Sequence, residues 1–198
     1  MRNPVKTPVF IIEHLEPELG KWCLMEYKHI SSIAGSGSLW FTNVKNSKDA
    51  EKLKKFGKVF RESIASIKLE NACVLDPEAD KTLDVEEAGR FDFFIFGGIL
   101  GNYPPEKRTR KQLTSRIKYK VEKRSIGRGQ MSTDNAAYTV KKIIEGKKLT
   151  ELKFKDILEI PINKILTIEL PYRYNLVKRK PLISRELLKH IRKTESKN

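Results

Sequence analysis

The sequence has little cysteine, little histidine and no long hydrophobic run. Its 198 residues include two cysteines, Cys23 and Cys73, each in an apolar stretch where a free thiol behaves as a small hydrophobic side chain. No apolar run approaches the roughly 20 residues needed to cross a bilayer, and the first one, residues 8–12, is too short for a secretory signal. We therefore expect a cytoplasmic protein without disulfides or membrane spans.

The motifs of several enzyme classes are also absent. The three histidines are scattered, and none has a cysteine or a carboxylate at metal-ligand spacing, so the sequence predicts no metal site. There is no Gly-x-Ser-x-Gly elbow of a hydrolase, no Walker A loop and no Gly-x-Gly-x-x-Gly dinucleotide fingerprint. These absences argue against a hydrolase and against binding of nucleoside triphosphates.

Positive charge is abundant and lies in two stretches. The formal net charge is +15; residues 104–128 hold ten lysines and arginines against two glutamates, and residues 172–193 hold eight against one. Such runs are often only solvated faces, but Tyr119, Tyr172 and Tyr174 lie among these cations, which favours contact with RNA or the ribosome. The predicted substrate-contacting residues are Arg108, Arg110, Lys118, Lys120 and Lys123.

Hydrophobic periodicity predicts one α/β domain that covers residues 1–198. Apolar runs indicate buried strands, and the alternation of strands with helices predicts a mainly parallel sheet flanked by helices. The predicted strands are 8–15, which should be central, 39–44, 72–75 and 91–96, with late strands 158–168 and 170–177 broken by Pro161 and Pro171. The predicted helices are 19–34, a stretch from 47, 60–67, a basic segment from Pro105 to about 123, 133–146 and 184–192.

Two glycine-rich junctions predict a ligand pocket. Gly97, Gly98 and Gly101 follow the apolar run 91–96, at the edge where open α/β sheets bind ligands and where a missing Cβ lets a ligand approach the backbone. Residues 127–134 combine two glycines with a helix start whose backbone donors can meet a polar ligand. Each junction alone fits an ordinary turn or a capped helix, but the two together favour a binding site.

Five short strings carry a resemblance to a known family. They are residues 11–14 (IIEH), 75–77 (LDP), 97–109 (GGILGNYPPEKRT), 129–134 (GQMSTD) and 169–173 (ELPYR). The chain resembles the SPOUT-class methyltransferases, in the family that contains the yeast arginine methyltransferase of a small-subunit ribosomal protein. That resemblance implies a SPOUT-type α/β fold with a C-terminal trefoil knot, S-adenosylmethionine as cofactor, and a monomer or a homodimer.

The resemblance also implies which residues hold the cofactor. Carried over by position, they lie in three loops. The first loop contains Leu75, Asp76 and Pro77; the second contains Gly97, Gly98, Ile99, Leu100 and Gly101; the third contains Gln130, Met131, Ser132 and Thr133.

The sequence leaves the acceptor open between protein and RNA. A guanidinium, with a pKa above about 12, needs a carboxylate to hold it and to assist proton loss, and Glu13 and Asp134 are the candidate catalytic residues. An RNA acceptor would need less acid and more cationic surface. The expected function is methylation of an arginine in a small-subunit ribosomal protein. The alternatives are an rRNA or tRNA methyltransferase and a non-catalytic RNA-binding or ribosome-assembly module.

Overall fold

The computed structural model describes residues 7–101, 104 and 106–195. Its main feature is a six-stranded sheet in which every pairing is parallel. The strands are β1 (Val9–His14), β2 (Leu39–Thr42), β3 (Lys58–Val59), β4 (Ala72–Leu75), β5 (Phe93–Gly98) and β6 (Glu122–Arg124). They lie in the order β3-β2-β1-β5-β4-β6, so the continuous apolar run of β1 is central as predicted.

Six α-helices accompany the strands among the described residues. Two of them, α1 and α5, cover one face of the sheet, where Tyr27, Ile30, Val140 and Ile143 are buried against β1, β2 and β5. Helix α1 ends where Gly35 adopts a φ of +86°, a conformation that glycine reaches without strain. The helices are α1 (Lys21–Ala34), α2 (Ser47–Leu53), α3 (Val85–Ala88), α4 (Arg108–Gln112), α5 (Thr133–Ile144) and α6 (Arg185–Glu195).

Residues 154–181 form a separate antiparallel sheet, which the alternation of strands and helices did not predict. It consists of β7 (Phe154–Pro161), β8 (Thr167–Val177) and β9 (Lys180–Pro181). Pro171 does not break β8, because it lies where the register shifts opposite Ile157, at a bulge that needs no ladder bond from it. Helix α6 covers this sheet through Leu187 and Ile191.

A buried amide pair joins the second sheet to α5. The backbone N–H of Asn175 on β8 donates to Asn135 Oδ1 at 2.8 Å, and Asn175 Nδ2 donates to the Asn135 carbonyl at 3.0 Å. Both side chains are almost fully buried, so their hydrogen bonds are costly to break. The pair therefore holds the C-terminal part of β8 next to the start of α5.

Two predicted helices are wrong. The stretch 60–67 contains only a 3-10 turn, Ile64–Ser66, because Phe60 instead bonds to the backbone of β2. The basic segment forms the short α4, a second 3-10 turn at Thr114–Arg116 and then β6. Pro105, which was predicted to end the preceding element, lies outside the described residues. No helix in the described ranges is long and apolar enough to cross a membrane.

Candidate cofactor and acceptor site

A cavity of about 390 Å³ opens at the carboxyl edge of the parallel sheet. Strands β4 and β5 end there, and the chain that leads into α5 forms a third wall. Thr133 Oγ1, at the start of α5, donates to the Gly97 carbonyl at 3.4 Å, which brings the two glycine-rich junctions together. The carboxyl edge of a parallel sheet is where such folds bind ligands.

Most of the residues predicted to hold the cofactor line this cavity. Leu100 and Ser132 do not; they line a smaller cavity beside it. The nine that do are Leu75, Asp76, Pro77, Gly97, Ile99, Gly101, Gln130, Met131 and Thr133.

Gly98 lines neither cavity, which corrects its predicted place. A Cβ on Gly98 would meet the hydroxyl of Tyr27, and it would lie 2.8 Å from Ile12 Cγ2 and 3.0 Å from the Glu13 carbonyl. Strand side chains alternate between the two faces of a sheet, so Gly98 points into the core while Gly97 points to the cavity. Glycine at position 98 makes room for a core tyrosine.

One polar atom of the cavity wall has no partner. Gln130 Oε1 is buried and makes no hydrogen bond to any described residue. Gln130 is otherwise fixed through its backbone, because its carbonyl accepts a hydrogen bond from the Arg173 N–H of β8 at 2.7 Å. An unpaired buried acceptor costs free energy, so this oxygen is suited to a ligand that brings a donor.

The two predicted substrate-contacting arginines belong to the cavity wall. Arg108 Nη1 donates to the Leu100 carbonyl at 2.9 Å, and Arg108 Nη2 pairs with Glu16 at 3.1 Å. Glu16 also accepts a hydrogen bond from the Leu100 N–H at 2.9 Å, so the glycine-rich loop is held through both backbone polar groups of Leu100. Arg110 pairs with Asp76 and with Glu78. These cations neutralise local carboxylates, so they contribute less to the basic surface than their number suggests.

The other three predicted cations lie on the outer surface. Lys118, Lys120 and Lys123 are exposed, and within the described residues none of them forms a salt bridge. The tyrosines that lie among the basic stretches point inward: Tyr119 OH donates to the Ile64 carbonyl, and Tyr174 is buried. The aromatic part of the argument for an RNA-facing surface is therefore wrong.

A second cavity of about 230 Å³ adjoins the first and shares Ile99, Gly101 and Met131 with it. Its other walls come from α1, from β8 and from the loop residues Leu100 and Ser132, and they are mainly apolar or aromatic with one carboxylate. Tyr172 OH donates to the Gly101 carbonyl at 2.7 Å, which fixes the ring between the two cavities. The remaining lining residues are Trp22, Glu26, Leu100, Ser132, Leu170, Pro171 and Tyr172.

Glu26 is the one charged side chain among the described residues that line the second cavity. It is only 5% exposed, and it accepts a hydrogen bond from Trp22 Nε1 at 2.7 Å. Burial and, to a smaller extent, the nearby negative charge of Asp134 raise the pKa of Glu26 to about 8. The Trp22 hydrogen bond and the Thr133 backbone oppose that rise.

Glu13 was a predicted catalytic residue, but the structure gives it a structural place. Its Oε2 accepts hydrogen bonds from Thr42 Oγ1 at 2.6 Å and from the Ile64 N–H at 2.9 Å, and its Oε1 accepts one from Ser63 Oγ at 2.5 Å. It lines neither cavity. Glu13 ties β1 to β2 and to the turn at Ile64, so the prediction of a catalytic role is corrected.

Asp134, the other predicted catalytic carboxylate, lies behind the second cavity. Its Oδ1 accepts hydrogen bonds from Ser132 Oγ at 2.6 Å and from the Asn135 N–H at 2.8 Å, and its Oδ2 is bonded to His29 Nδ1 at 2.7 Å. Asp134 lines neither cavity, so it joins α5 to α1 and does not face an acceptor. It acts on the site through its charge, which affects Glu26.

Comparison with known proteins decides the family. The family model described as protein arginine N-methyltransferase SFM1-like matches residues 9–198. The chain belongs to this family. The family assignment and the mainly parallel α/β fold predicted from the sequence are thereby confirmed.

Individual relatives of the SFM1-like family cover nearly the whole chain. The protein arginine N-methyltransferase SFM1 of Saccharomyces cerevisiae is 34% identical over 206 residues, which span 96% of this chain and 96% of that protein. The crystal structure of yeast SFM1 complexed with S-adenosylmethionine has a TM-score of 0.86 at 32% identity, and the match covers 98% of this chain and 94% of that one. A Trm10 structure from Thermococcus kodakaraensis shares the fold, with a TM-score of 0.55 at 23% identity over 73% of this chain and 96% of that one.

Sequence reasoning missed Glu26, although one signal pointed to it. The apolar stripe of α1 includes Cys23, Tyr27 and Ile30, and Glu26 lies three residues after Cys23 and four before Ile30. That spacing places the carboxylate on the buried side of the helix. A charged residue on an apolar stripe needs a partner or a function, so Glu26 could have been singled out beside the two glycine-rich junctions.

Proposed function

We propose that this member of the SFM1-like family transfers a methyl group from S-adenosylmethionine to an arginine of a small-subunit ribosomal protein. The observation that carries the proposal is the convergence of three segments on one cavity at the sheet edge. This cavity lies at the carboxyl edge of a parallel sheet, and α/β folds bind their cofactors at that edge. Yeast SFM1, a relative that spans nearly the whole chain, is named a protein arginine N-methyltransferase.

The residues of the large cavity fit S-adenosylmethionine. A volume of about 390 Å³ lies in the range of cofactor sites. Leu75, Phe96 and Ile126 offer apolar walls for the adenine ring, and Gln130 Oε1 offers a buried acceptor for an N–H or O–H of the cofactor. Gly97 and Gly101 leave the backbone open to a ligand because they carry no Cβ.

The protein's contribution to methyl transfer is to align the acceptor and to exclude water. S-adenosylmethionine supplies an electrophilic methyl group on a sulfonium, and no further activation of that group is needed. The clamp of Arg108 and Glu16 on Leu100 holds the loop between the two cavities in one conformation. A fixed, partly apolar wall of this kind favours a near-attack geometry and keeps competing water away.

RNA methylation is the second candidate function, and one observation favours it. Lys118, Lys120 and Lys123 form an exposed group of cations that a polyanion can contact. The same surface equally serves to hold a methyltransferase on a ribosomal particle whose protein it modifies. A non-catalytic RNA-binding or ribosome-assembly role is the third candidate, and it predicts no binding of S-adenosylmethionine.

Labelling of ribosomal particles separates these three functions. Small ribosomal subunits from cells that lack this protein are incubated with the purified protein and methyl-labelled S-adenosylmethionine, and then digested with RNase or with protease. We expect label that resists RNase, is released by protease and resides on arginine. Label released by RNase would establish the RNA function, and absence of both label and cofactor binding would establish the non-catalytic one.

A glycine pair supplies the control for that experiment. In Gly101→Ala the new Cβ would meet Gln130 Nε2 and would lie 2.7 Å from Tyr172 Cε1, so cofactor binding and labelling should fall together. In Gly37→Ala the new Cβ has nothing within 4 Å, so labelling should equal that of the parent protein. Equal labelling by the two variants would show that the cavity is not the methyl-transfer site.

Three further expectations stay predictions. They are the C-terminal trefoil knot, the cytoplasmic location, and the choice between monomer and homodimer. Sedimentation of the purified protein at several concentrations measures the last of them directly.

A further inference from the structure

The second cavity has the lining of a site for a flat, cationic side chain. Its walls include the rings of Trp22 and Tyr172 and the apolar side chains of Leu170 and Met131, and its one charged group is Glu26. Guanidinium groups are planar, stack on aromatic rings and bind carboxylates through paired hydrogen bonds. An ammonium group lacks this planar complementarity, and a phosphate would be repelled by the carboxylate.

Glu26 is short of partners for a buried carboxylate. No lysine, arginine or histidine of the described residues forms a salt bridge with it, and Trp22 Nε1 is the one side-chain donor bonded to it. Glu13, with comparable burial, has three donors, whereas Glu26 has the Trp22 side chain and the Thr133 backbone. A buried carboxylate with unused acceptor capacity at a cavity wall is a site for a ligand that brings both charge and donors.

The position of the second cavity relates it to methyl transfer. It meets the cofactor cavity at Ile99, Gly101 and Met131, so a side chain that enters from the second cavity ends against the first. We propose that the acceptor arginine enters through the second cavity, with Trp22 and Tyr172 beside its guanidinium and Glu26 as the group that holds it and accepts its proton. This inference rests on the proposed function.

The proton and the charges balance in this scheme. A bond forms between an acceptor Nη and the methyl carbon while the bond from that carbon to sulfur breaks, and the bonding pair stays on sulfur as a neutral thioether. The same Nη loses a proton to the Glu26 carboxylate, so the product guanidinium keeps a single positive charge. Glu26 then releases the proton to solvent, and one proton is lost in each turnover.

Several titratable groups surround Glu26 and set its behaviour. Asp134 on α5, with His29 bonded to it, faces Glu26 from one side; Tyr172 and Tyr174 face it from β8; and Cys23 and Tyr27 lie on α1 itself. Burial and Asp134 raise the pKa of Glu26 to about 8, while the Trp22 hydrogen bond lowers it. A carboxylate of this basicity is suited to take a proton near neutral pH.

Binding of a small arginine analogue tests the cavity without turnover. The probe is N-acetyl-arginine amide, and the readout is Trp22 fluorescence in a Trp40→Phe background, since these are the two tryptophans of the chain. We expect a saturable change in emission, with at least about tenfold weaker binding of the matching lysine and citrulline amides, because loss of a buried charge partner costs at least that much. Equal binding of arginine and citrulline amides would overturn the proposal.

Substitution of Glu26 provides the second test. Glu26→Gln should weaken binding of the arginine amide at least about tenfold and lower kcat for protein methylation by about 100-fold or more, as expected for loss of a general base. The Kd for S-adenosylmethionine, measured by calorimetry, should be unchanged. The control is Glu51→Gln, an exposed carboxylate on α2 paired with Lys54, which should match the parent in every measurement. A parental kcat in Glu26→Gln would overturn the proposal.

The pH profile distinguishes a catalytic Glu26 from a structural one. In the parent protein, kcat/KM should rise with pH to a plateau above pH 8, because Glu26 with a pKa of about 8 must be ionised to accept a proton. Trp22→Phe removes the hydrogen bond that lowers this pKa, so the rise should move to higher pH; this variant carries the test if Glu26→Gln does not fold. A profile that stays in place would overturn the role of Glu26.

If the parent methylates no protein but binds the arginine amide through Glu26, the proposed function fails and the cavity assignment stands.

Discussion

Glu13 and Glu26 are both buried carboxylates near the carboxyl edge of the sheet, yet they are used in opposite ways. Glu13 is 2% exposed and accepts hydrogen bonds from two hydroxyls and a backbone N–H. Glu26 is 5% exposed, is bonded to the Trp22 side chain and the Thr133 backbone, and faces a cavity. The difference shows that burial alone does not identify a reactive carboxylate. Unused hydrogen-bonding capacity at a cavity wall is the better indicator.

The largest expected effect comes from removing each carboxylate in turn. Glu13→Ala leaves Thr42, Ser63 and the Ile64 N–H without their acceptor, and it should lower the free energy of unfolding by about 3 kcal/mol or more. Glu26→Ala leaves the Trp22 N–H and the Thr133 backbone without their acceptor, but both groups lie at a cavity whose water can satisfy them, so its stability should stay within about 1 kcal/mol of the parent. Denaturant titration measures both values, and equal losses would remove the distinction between the two carboxylates.

Gly98 and Gly101 differ in the same way as the two carboxylates, because Gly98 lies in the core and Gly101 lies at the cavity. Gly98→Ala places a Cβ against Tyr27, a fully buried side chain whose hydroxyl is bonded to His14, so the core must move. The expected loss of stability is about 2 kcal/mol, typical of overpacking. Gly101→Ala displaces the Gln130 amide and the Tyr172 ring at the cavity wall and not in the core, so it should cost less stability than Gly98→Ala while it weakens cofactor binding. A stable Gly98→Ala variant with impaired cofactor binding would place Gly98 back in the pocket.

The four inner strands of the parallel sheet, β1, β2, β4 and β5, could be predicted because they are largely buried and form apolar runs, whereas the short, half-exposed β3 and β6 were missed. Strand β4 matches its predicted limits, residues 72–75, and β1 lies within the predicted 8–15. The antiparallel strands were harder to place, because β7 is half exposed and carries a bulge at Ile157. A bulge interrupts the alternation on which strand prediction depends.

The parts of the candidate site that depend on local backbone geometry could be predicted from the sequence. The parts that depend on packing between distant segments could not. Glycines mark the loop at Gly97 and Gly101. Which face each glycine occupies depends on strand register, so Gly98 was misplaced. Arg108 and Arg110 form ion pairs with carboxylates that are distant in the sequence, those of Glu16 and Asp76 respectively. No local sequence pattern predicts such pairs.

A smaller effect on cofactor affinity is expected from substitution of the basic residues, and a cation of the cavity wall should matter more than one on the outer surface. Arg108→Gln breaks the clamp on Leu100, so the glycine-rich loop loosens and the cofactor affinity should fall about tenfold, or roughly 1.4 kcal/mol, as for loss of a charge-assisted hydrogen bond. Lys120→Gln should leave cofactor affinity unchanged, since Lys120 is exposed. Calorimetry with S-adenosylmethionine compares the two, and a loss in Lys120→Gln equal to that in Arg108→Gln would contradict the assignment.

The smallest effect is expected at Asp134, which acts on Glu26 from a distance. Asp134→Asn keeps an oxygen that can accept the hydrogen bonds of Ser132 and Asn135, so the start of α5 should remain intact. The change removes a negative charge that raises the pKa of Glu26, so this pKa should fall. Because Glu26 must be ionised to accept a proton, the rise of kcat/KM should then begin at lower pH, while kcat on the high-pH plateau stays within about twofold of the parent.

Ser132→Ala, which removes a neutral donor to Asp134 and leaves its charge, is the control and should keep the parental profile. A large loss of kcat in Asp134→Asn at every pH would instead mean that Asp134 itself touches the acceptor, and the division between a cavity carboxylate and a positioning carboxylate would fail.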